Sequence, residues 1–544
     1  MATDMSRERV VHALLERQAE KYGDRTFLYF EDREYSFREV NNVANRVAKG
    51  LQLQGIAKGD KIAILTNNCP EFIFLWFGLS KLGGLEVPLN PAHKGDLLVY
   101  FLNHSDARII VVDRRYIDRV ATVLPRVPNI DIVVVLGKAV SDQPSTISWT
   151  SFQESAEALG KKVMDWGTLV ENDGSYQPVD VLWSDPFTIM YTSGTTGASK
   201  GSVTPHNYAI QVAEMACETT GYSEQDCLYT PLPLFHGAAQ LFCTVAALMS
   251  GASVVLAEWF SASRFWEEVK RYGCTRATLV GALVPILYMA EPKPDDADNP
   301  VRTIVVAAAP RHLFEVFEKR FGVKFIEFYG MSEISLPLMN TIKERKFGSC
   351  GKVHRDFVAK IVDDSGMEVG PNTPGEMLIR PIKPNTMQLE YYRMPEKTVE
   401  AWRDLWFHTG DCLYYDEEGF FFFVDRKKDA LRRRGENISS YEVEGVISSH
   451  PAVLESAAIA VKSELGEDEV MVCLALKPGQ SMDPLELIKY AEERMAYFMV
   501  PRYVRVMDAL PKTPTERVEK YRLRLEGVTP ETWDREKEGY RLKR

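Results

Sequence analysis

The chain has 544 residues, more than the roughly 250–300 over which a single hydrophobic core grows, so we expect at least two domains. Lys and Arg number 65 against 76 Asp and Glu, and the resulting formal charge of −11 argues against broad binding to a nucleic acid backbone, which requires basic surface. Hydrophobic residues make up 45% and charged residues 26% of the chain, which is typical of folded rather than disordered protein.

The eight cysteines form no C-x-x-C pair, so neither a zinc site nor a disulfide framework is indicated. The N-terminus carries both signs of charge and lacks the apolar centre of a signal peptide. The longest uncharged stretch, residues 228–257, contains Pro231 and Pro233 and reads as loop, helix, turn and strand. We therefore predict a cytoplasmic protein without a transmembrane segment, and a homodimer is compatible with the sequence.

Strand-like and helix-like patterns alternate along most of the chain. The predicted elements are strand 61–65, helix 71–82, strands 107–112 and 187–191, helix 206–218, strand 252–257, helix 263–272, strand 302–306, a helix ending at 321, and strand 323–328. Short strands and turns follow, and α/β alternation returns after Asp425. Residues 530–544 read as a solvated charged tail.

This order predicts an α/β fold in two parts. A large N-terminal domain, residues 1–427, would hold two α/β sheet subdomains and a small β subdomain at about 345–415. A small α+β C-terminal domain would occupy residues 428–544.

The strongest local motif is YTSGTTGASKG at 191–201, which follows an apolar strand and precedes a helix-like segment. Glycines let backbone N–H groups approach phosphate oxygens, hydroxyls add donors, and a lysine adds positive charge. The spacing differs from a Walker A loop, because Gly201 follows Lys200. The motif predicts a polyphosphate-binding loop, and an ordinary Ser/Thr/Gly turn is the alternative.

A second motif, EFYGMSE at 327–333, also follows a predicted strand, where open α/β sheets bind ligands. Tyr329 offers a ring for stacking on a base, Ser332 a hydroxyl for phosphate, and Glu333 a hard oxygen ligand for Mg²⁺. The alternative is a strand-to-helix turn capped by Ser332.

A third cluster begins with HTGD at 408–411, where Asp411 is suited to accept hydrogen bonds from two ribose hydroxyls. Six cationic residues and one anionic residue follow between 426 and 434, in a chain that is acidic as a whole. This run predicts a local phosphate-binding patch, with a solvated basic face as the alternative.

In this order the three motifs resemble those of the adenylate-forming enzymes: acyl-CoA synthetases, luciferases and the adenylation domains of peptide synthetases. The resemblance covers nearly the whole chain. Further matching segments are PLPLFH at 231–236, AAAP at 307–310, GSCG at 348–351, residues 436–451 and LPKTPT at 510–515. The chain looks most like stand-alone CoA ligases, with a weaker likeness to carnitine and crotonobetaine CoA ligases.

The resemblance implies ATP, Mg²⁺ bound by Glu333, and coenzyme A as a co-substrate. Lys200 would belong to the phosphate grip, His236 would gate the acyl pocket beside the carboxylate, and the C-terminal domain would rotate about Lys428. The implied ATP and AMP contacts are Thr192, Ser193, Gly194, Thr195, Thr196, Gly197, Ala308, Glu327, Phe328, Tyr329, Gly330, Met331, Ser332, Asp411, Phe423 and Arg426. The implied coenzyme A contacts are Arg433, Arg434, Gly435 and Glu436.

One departure affects the catalytic cation. The family's C-terminal motif carries a lysine that bridges the carboxylate and the α-phosphate, and Arg517 occupies that position here. Arginine keeps a permanent charge but differs from lysine in reach and geometry. Lys520 is the second candidate for this role.

The sequence thus predicts an enzyme that joins a carboxylic acid to coenzyme A through an acyl adenylate. Three alternatives share its nucleotide motifs. They are an enzyme that loads a carrier protein, a luciferase-like oxygenase, and a non-catalytic nucleotide or acyl-adenylate binder.

Overall fold

The computed structural model describes residues 5–137, 147–192, 199–281, 283–307, 309, 313–363, 365–426, 431–433, 436–438, 440–462, 468–511, 518 and 520–542. The chain divides into two compact units. The large unit comprises Met1–Pro91, Leu102–Tyr191 and Gly201–Asp425. The small unit comprises Ala92–Phe101, Thr192–Lys200 and Arg426–Arg544.

The first large sheet has nine strands within the described ranges, and six neighbouring strands in it run parallel. Parallel strands leave all their carboxyl ends at one edge of a sheet, where open α/β folds bind ligands. The strand order is Lys352–Val353, Ser335–Met339, Lys324–Met331, Thr303–Ala307, Arg276–Val280, Cys227–Thr230, Ser253–Leu256, Thr26–Phe30 and Arg33–Ser36.

The second large sheet has eight described strands and is also largely parallel. Its central strands are apolar runs such as Ile132–Leu136, which is buried along its whole length, as expected for a sheet covered on both faces. The strand order is Glu390–Tyr391, Lys200–Pro205, Pro186–Thr192, Leu85–Leu89, Lys61–Leu65, Ile109–Asp113, Ile132–Leu136 and Lys162–Asp165.

Three smaller sheets complete the described β structure. In the first, Phe357–Val362, Gly375–Pro381, Trp406–Tyr415 and Trp402–Arg403 are neighbours, and Phe421–Arg426 pairs with Trp406–Tyr415. The small unit holds the pair Leu431–Arg433 and Glu436–Ile438. It also holds a sheet of Val453–Lys462, Asp468–Leu476, Tyr503–Met507 and Trp533–Asp534.

Helices connect the strands. The helix Phe37–Leu53 begins at a capping box, in which the Ser36 hydroxyl accepts from the Glu39 amide and the Glu39 carboxylate accepts from the Ser36 amide. The other α-helices are Met5–Glu8, Val11–Tyr22, Pro70–Lys81, Gly95–His104, Ile117–Val123, Trp149–Ala158, Trp166–Val170, His206–Thr220, Ala246–Ser250, Phe265–Arg271, Leu283–Tyr288, Phe314–Phe321, Pro395–Ala401, Ser440–Ser448, Pro484–Glu492 and Lys520–Glu526. Arg114–Tyr116 and Leu124–Arg126 are 3₁₀-helices, and Ala238–Val245 is a π-helix. No helix in the described part of the chain is long and apolar enough to cross a membrane.

The predicted α/β fold with two large sheets and a β subdomain is confirmed, and the helix predicted at 206–218 is present as His206–Thr220. A strand that was not predicted, Lys200–Pro205, begins at the end of the 191–201 motif and precedes this helix, and its residues 202–203 pair with Glu390–Tyr391. The prediction of a solvated charged tail is wrong. Residues 530–542 are not a free tail. Trp533–Asp534 pairs with Tyr503–Met507, and the Asp534 carboxylate accepts from Arg502 at 3.1 and 3.2 Å.

Two histidines lie where the helix Val11–Tyr22 packs within the large unit, His206 fully buried and His12 half-buried. His12 Nδ1 lies 3.1 Å from the Ser80 hydroxyl, and His206 Nδ1 accepts from the Val11 amide at 3.4 Å. Burial, together with the nearby Lys81 cation, lowers the pKa of His12 from 6.5 to about 4. The fold therefore holds His12 in its neutral form.

A group whose folded pKa is depressed in this way favours folding above its unfolded pKa of 6.5, and this contribution is lost as the pH falls from 6.5 towards 4. Between pH 7.5 and pH 5.0 we expect the His12 contribution to the free energy of unfolding to fall by about 2 kcal/mol. His12→Gln should lose that pH dependence in denaturant unfolding. His236→Gln, which removes an exposed histidine, should retain it, and equal pH dependence in all three proteins would contradict the assignment.

Candidate active site

The strand Lys324–Met331 ends in a hairpin at the carboxyl edge of the nine-stranded sheet. It turns back into Ser335–Met339, with Tyr329 opposite Leu338 and Met331 opposite Ser335. A Cβ atom at Gly330 would collide with the Ser335 carbonyl, so this close approach requires glycine. The alternative of a helix capped by Ser332 is wrong, because the apolar segment after the motif pairs as a strand.

Tyr329 and Asp411 come together from different sheets of the large unit. The Tyr329 hydroxyl donates to Asp411 Oδ2 at 2.7 Å, and both residues are buried. The Phe423 ring lies 6.4 Å from the Tyr329 ring, between centroids, and is 39% exposed. An aromatic surface therefore lies beside a fixed carboxylate, an arrangement suited to a base and its ribose.

The remaining strand residues of this motif are packed inside the large unit. Glu327 Oε1 accepts from the Ala309 amide at 3.0 Å. The Phe328 ring stacks on Phe242 with centroids 5.4 Å apart. In this structure both side chains support the edge that carries Tyr329.

Glu333 is buried in the hairpin turn and holds a hydrogen bond from another part of the chain. Its Oε1 accepts from the Tyr391 hydroxyl at 2.9 Å, and its main-chain oxygen accepts from the Gln388 amide at 2.8 Å. Burial and the adjacent Glu333 charge raise the pKa of Tyr391, so the phenol keeps its proton and donates it. The carboxylate is thus fixed in orientation.

His236 ends the segment 231–236, which we call the His236 turn. The imidazole is exposed, and the His236 carbonyl accepts from the Ala239 and Gln240 amides at 3.2 and 3.3 Å. These bonds connect the turn to the π-helix that follows. Such helices are frequent at functional sites.

Residues 15–392 match the AMP-binding enzyme family, and residues 442–517 match the AMP-binding enzyme C-terminal domain. The chain belongs to the AMP-binding enzyme family. The adenylate-forming superfamily expected from the motifs is therefore confirmed.

Similar proteins include CoA ligases of several kinds. The crotonobetaine/carnitine–CoA ligase of Salmonella heidelberg strain SL476 is 29% identical over 92% of this chain and 96% of its own length. A double mutant of o-succinylbenzoate CoA synthetase from Bacillus subtilis, bound with its product analogue, has a TM-score of 0.79 at 25% identity and covers 94% of this chain and 98% of its own. The anthranilate CoA ligase in complex with anthranoyl-AMP has a TM-score of 0.69 at 25% identity, with coverages of 95% and 97%.

Within this AMP-binding enzyme, the donor set fits Mg²⁺ bound largely by substrate. Glu333 supplies one buried carboxylate, and no group of three His, Cys, Asp or Glu that could hold a metal is present among the residues that the structure describes. Mg²⁺ commonly takes one or two carboxylates together with nucleotide phosphates and water. One oriented carboxylate is consistent with that mode of binding.

In the small unit, the end of the 191–201 motif is attached to the helix Ser440–Ser448. The Ser199 amide and hydroxyl both donate to Glu442 Oε1, the amide at 3.1 Å. The Tyr100 hydroxyl donates to the Ser199 carbonyl at 2.7 Å. Next to it, the Thr192 hydroxyl lies 3.4 Å from the Lys200 carbonyl, which brings the two ends of the motif together.

Two predicted cationic contacts have partners inside the small unit. Arg433 is buried and donates to the carbonyls of Phe498 and Val500 at 3.1 and 3.0 Å. Lys520 Nζ lies 2.6 Å from Glu444 Oε1 and donates to the Ser440 hydroxyl at 2.9 Å. Both side chains hold the fold of this unit together in the structure, and their roles toward substrates stay predictions.

Two further predicted positions lie at strand ends. Glu436 begins the strand Glu436–Ile438, and Arg426 ends the strand Phe421–Arg426. Ten predicted positions lie outside the described residues: Ser193, Gly194, Thr195, Thr196, Gly197, Ala308, Lys428, Arg434, Gly435 and Arg517.

Sequence reasoning missed Tyr391. It lies in a two-residue strand, and its partner Glu333 is 58 residues away in the chain. No local motif marks it, because the strand is defined by pairing with residues 202–203. The polar–aromatic segment 388–392 is a weak signal by comparison with the glycine-rich loop.

We expect Tyr391→Phe to lower acid-dependent pyrophosphate exchange about tenfold, because the Glu333 carboxylate loses the donor that orients it. The Mg²⁺ concentration for half-maximal exchange should rise. The matched control is Tyr392→Phe, which removes the neighbouring hydroxyl that donates to Asp106 Oδ2 at 3.0 Å. Equal exchange rates and Mg²⁺ requirements in the two variants would remove Tyr391 from the site.

Proposed function

We propose that the protein is an ATP-dependent carboxylic acid:CoA ligase. A carboxylate oxygen of the acid attacks the α-phosphorus of ATP and pyrophosphate leaves, which gives an acyl adenylate. The thiol sulfur of coenzyme A, having lost its proton, then attacks the acyl carbon and AMP leaves. The products are an acyl-CoA thioester, AMP and pyrophosphate.

The observation that supports this proposal best is the Tyr329–Asp411 hydrogen bond at the edge of the large sheet. It joins an aromatic ring and a carboxylate that lie 82 residues apart in the chain. Both residues are expected to hold the nucleoside of ATP. Two of the similar proteins are named CoA ligases, one of them in complex with anthranoyl-AMP, and a third is named a CoA synthetase, which favours the acid–thiol reaction.

The proposed roles follow from charge and orientation. Tyr329 and Phe423 would flank adenine, Asp411 would hold the ribose, and Glu333 would bind the metal. Mg²⁺, when bound, would neutralise charge on the phosphates. Lys200 would add a cation at the phosphates and His236 would border the acid. Alignment and electrostatics of this kind require no covalent nucleophile from the enzyme.

We propose Arg517 as the cation that bridges the carboxylate and the α-phosphate. Lys520 is less suited to this role, because its ammonium already lies 2.6 Å from the Glu444 carboxylate. For Lys520 to reach the substrate, this ion pair would first have to break, which costs free energy.

The decisive experiment is a screen of a carboxylic acid library for acid-dependent AMP release, with and without coenzyme A. We expect at least one acid to give AMP release that coenzyme A accelerates, with a thioester product. Adenylation without transfer to coenzyme A would favour the carrier-protein alternative. Light and oxygen consumption would favour the luciferase-like alternative, and ATP binding without pyrophosphate release would favour the non-catalytic binder.

Arg517→Ala should lower pyrophosphate exchange about 10²-fold or more, the usual scale for losing one charge-stabilising donor. Thioester formation from a supplied acyl adenylate should change little. Lys520→Ala should mainly lower the thermal stability of the protein, because it breaks the Glu444 ion pair. If Lys520→Ala abolished exchange and Arg517→Ala did not, the assignment of the two cations would be reversed.

The domain boundary at 427/428 and rotation about Lys428 belong to this proposal, as do a cytoplasmic location and a homodimer.

Lys428→Pro would fix φ at about −65° and so should slow one of the two half-reactions while the other survives. Wild-type rates of both adenylation and thioester formation in this variant would contradict the hinge assignment.

A further inference from the structure

Asn68 is a buried side chain that joins the two large sheets within the large unit. Its Nδ2 donates to the Leu232 carbonyl at 2.9 Å and to the Ala257 carbonyl at 2.8 Å. Its Oδ1 accepts from the Leu234 amide at 2.7 Å. Asn68 is only 3% exposed, so water cannot readily replace these three hydrogen bonds.

The hydrogen bonds of Asn68 link the two large sheets. Asn68 follows the strand Lys61–Leu65 of the eight-stranded sheet. Leu232, Leu234 and Ala257 follow the strands Cys227–Thr230 and Ser253–Leu256 of the nine-stranded sheet. The amide thus connects the carboxyl ends of both sheets at the backbone that leads to His236.

A second buried group from the eight-stranded sheet holds the other side of the His236 turn. Gln240, on the π-helix, donates through Nε2 to Glu86 Oε2 at 3.1 Å, and both residues are fully buried. The Gln240 amide also donates to the His236 carbonyl. Burial raises the pKa of Glu86 well above its usual range, so a neutral carboxyl is the stable form here.

We propose that Asn68 and the Glu86–Gln240 pair are positioning residues that clamp the His236 turn at its two ends and so set how His236 meets the carboxylic acid. Neither residue touches substrate in this proposal. The inference rests on the proposed function, since it assigns His236 to the acid site.

The His236 turn contains buried backbone groups that need hydrogen-bond partners. The backbone groups of Leu232 and Leu234 lie away from water, so each must have a partner within the protein or cost about 1–3 kcal/mol. Asn68 supplies both partners with one rigid amide. A shorter side chain would leave the turn free to shift, and a shift of about 1 Å at a catalytic group can lower rates strongly.

Asn299 provides a matched control. Its side chain donates to the carbonyls of Asp296 and Phe321 at 3.0 and 2.9 Å and accepts from the Val301 amide at 3.0 Å. This is the same pattern of three bonds in a loop that carries none of the predicted site residues. Asn68→Ala and Asn299→Ala therefore remove the same number and types of hydrogen bond, from a buried site and a half-buried site respectively.

We expect Asn68→Ala to lower kcat/KM for the carboxylic acid about tenfold or more while KM for ATP stays within about twofold. Asn299→Ala should leave both constants near the wild-type values. If the two variants behaved alike, or if KM for ATP rose in parallel in Asn68→Ala, the clamp would be only a stability element and the proposal would be overturned.

Two variants of Glu86 test the Glu86–Gln240 end of the clamp. They keep the proposal falsifiable if Asn68→Ala does not fold. Glu86→Gln retains an acceptor oxygen for Gln240 and the neutral charge, so its kcat/KM for the acid should stay within about twofold of wild type. Glu86→Leu removes the acceptor and should lower that constant about fivefold or more at unchanged KM for ATP. Equal values for the two variants would overturn this half of the clamp.

Hydrogen exchange separates this inference from the proposed function. In Asn68→Ala without substrate, the peptide covering residues 231–240 should exchange at least about tenfold faster, while the same peptide in Asn299→Ala should not change. If the wild-type enzyme accepts no acid in the screen, the proposed function fails and exchange still decides the clamp. If the enzyme is active but exchange and acid kinetics are unchanged in Asn68→Ala, the clamp alone fails.

Discussion

Two buried carboxylates of the candidate site accept hydrogen bonds from tyrosines in distant parts of the chain, and these pairs organise the described part of the site. Asp411 receives the Tyr329 hydroxyl, and Glu333 receives the Tyr391 hydroxyl. A buried carboxylate without a donor would be costly, so each pair fixes both members in position. The same requirement gives Asn68 its three hydrogen bonds. These side chains are therefore held in place by the protein's own hydrogen bonds.

Tyr329 and Glu333 lie at or just after the end of the strand Lys324–Met331, at the edge of the sheet where open α/β folds bind ligands. Their partners come from antiparallel strands, Asp411 from Trp406–Tyr415 and Tyr391 from Glu390–Tyr391. Chemistry that depends on alignment and charge stabilisation gains from such an edge, because the scaffold behind it is closely packed and does not need to rearrange. In the small unit, the side chains of Lys520 and Arg433 are held by partners within that unit. Lys520 pairs with the Glu444 carboxylate, and Arg433 donates to the carbonyls of Phe498 and Val500.

Local pattern was sufficient for much of the fold and for the nucleotide motifs. The strand predicted at 61–65 has the same bounds in the structure, because its apolar run is buried on both faces. Pairing between segments that are far apart in the chain could not be predicted from local sequence patterns. The charged neighbours of Trp533–Asp534 dominate the local composition and favour a solvated tail, and the strand that contains Tyr391 has only two residues, too few for a recognisable pattern. The alternative of a helix after Ser332 also fails, because the segment Ser335–Met339 pairs as a strand and tertiary pairing overrides the local turn signal.

The strand near the C-terminus has a practical consequence for handling the protein. Trp533–Asp534 pairs with Tyr503 and Val504 on one side of the strand Tyr503–Met507, whose other side pairs with Asp468–Leu476. Trimming the chain before residue 533 would leave Tyr503 and Val504 unpaired on that side and the Arg502 guanidinium without Asp534. Open edges recruit strands from other molecules, so shortened versions of this chain are prone to aggregate. Purification tags are better fused after the final residue than substituted for the apparently dispensable last dozen.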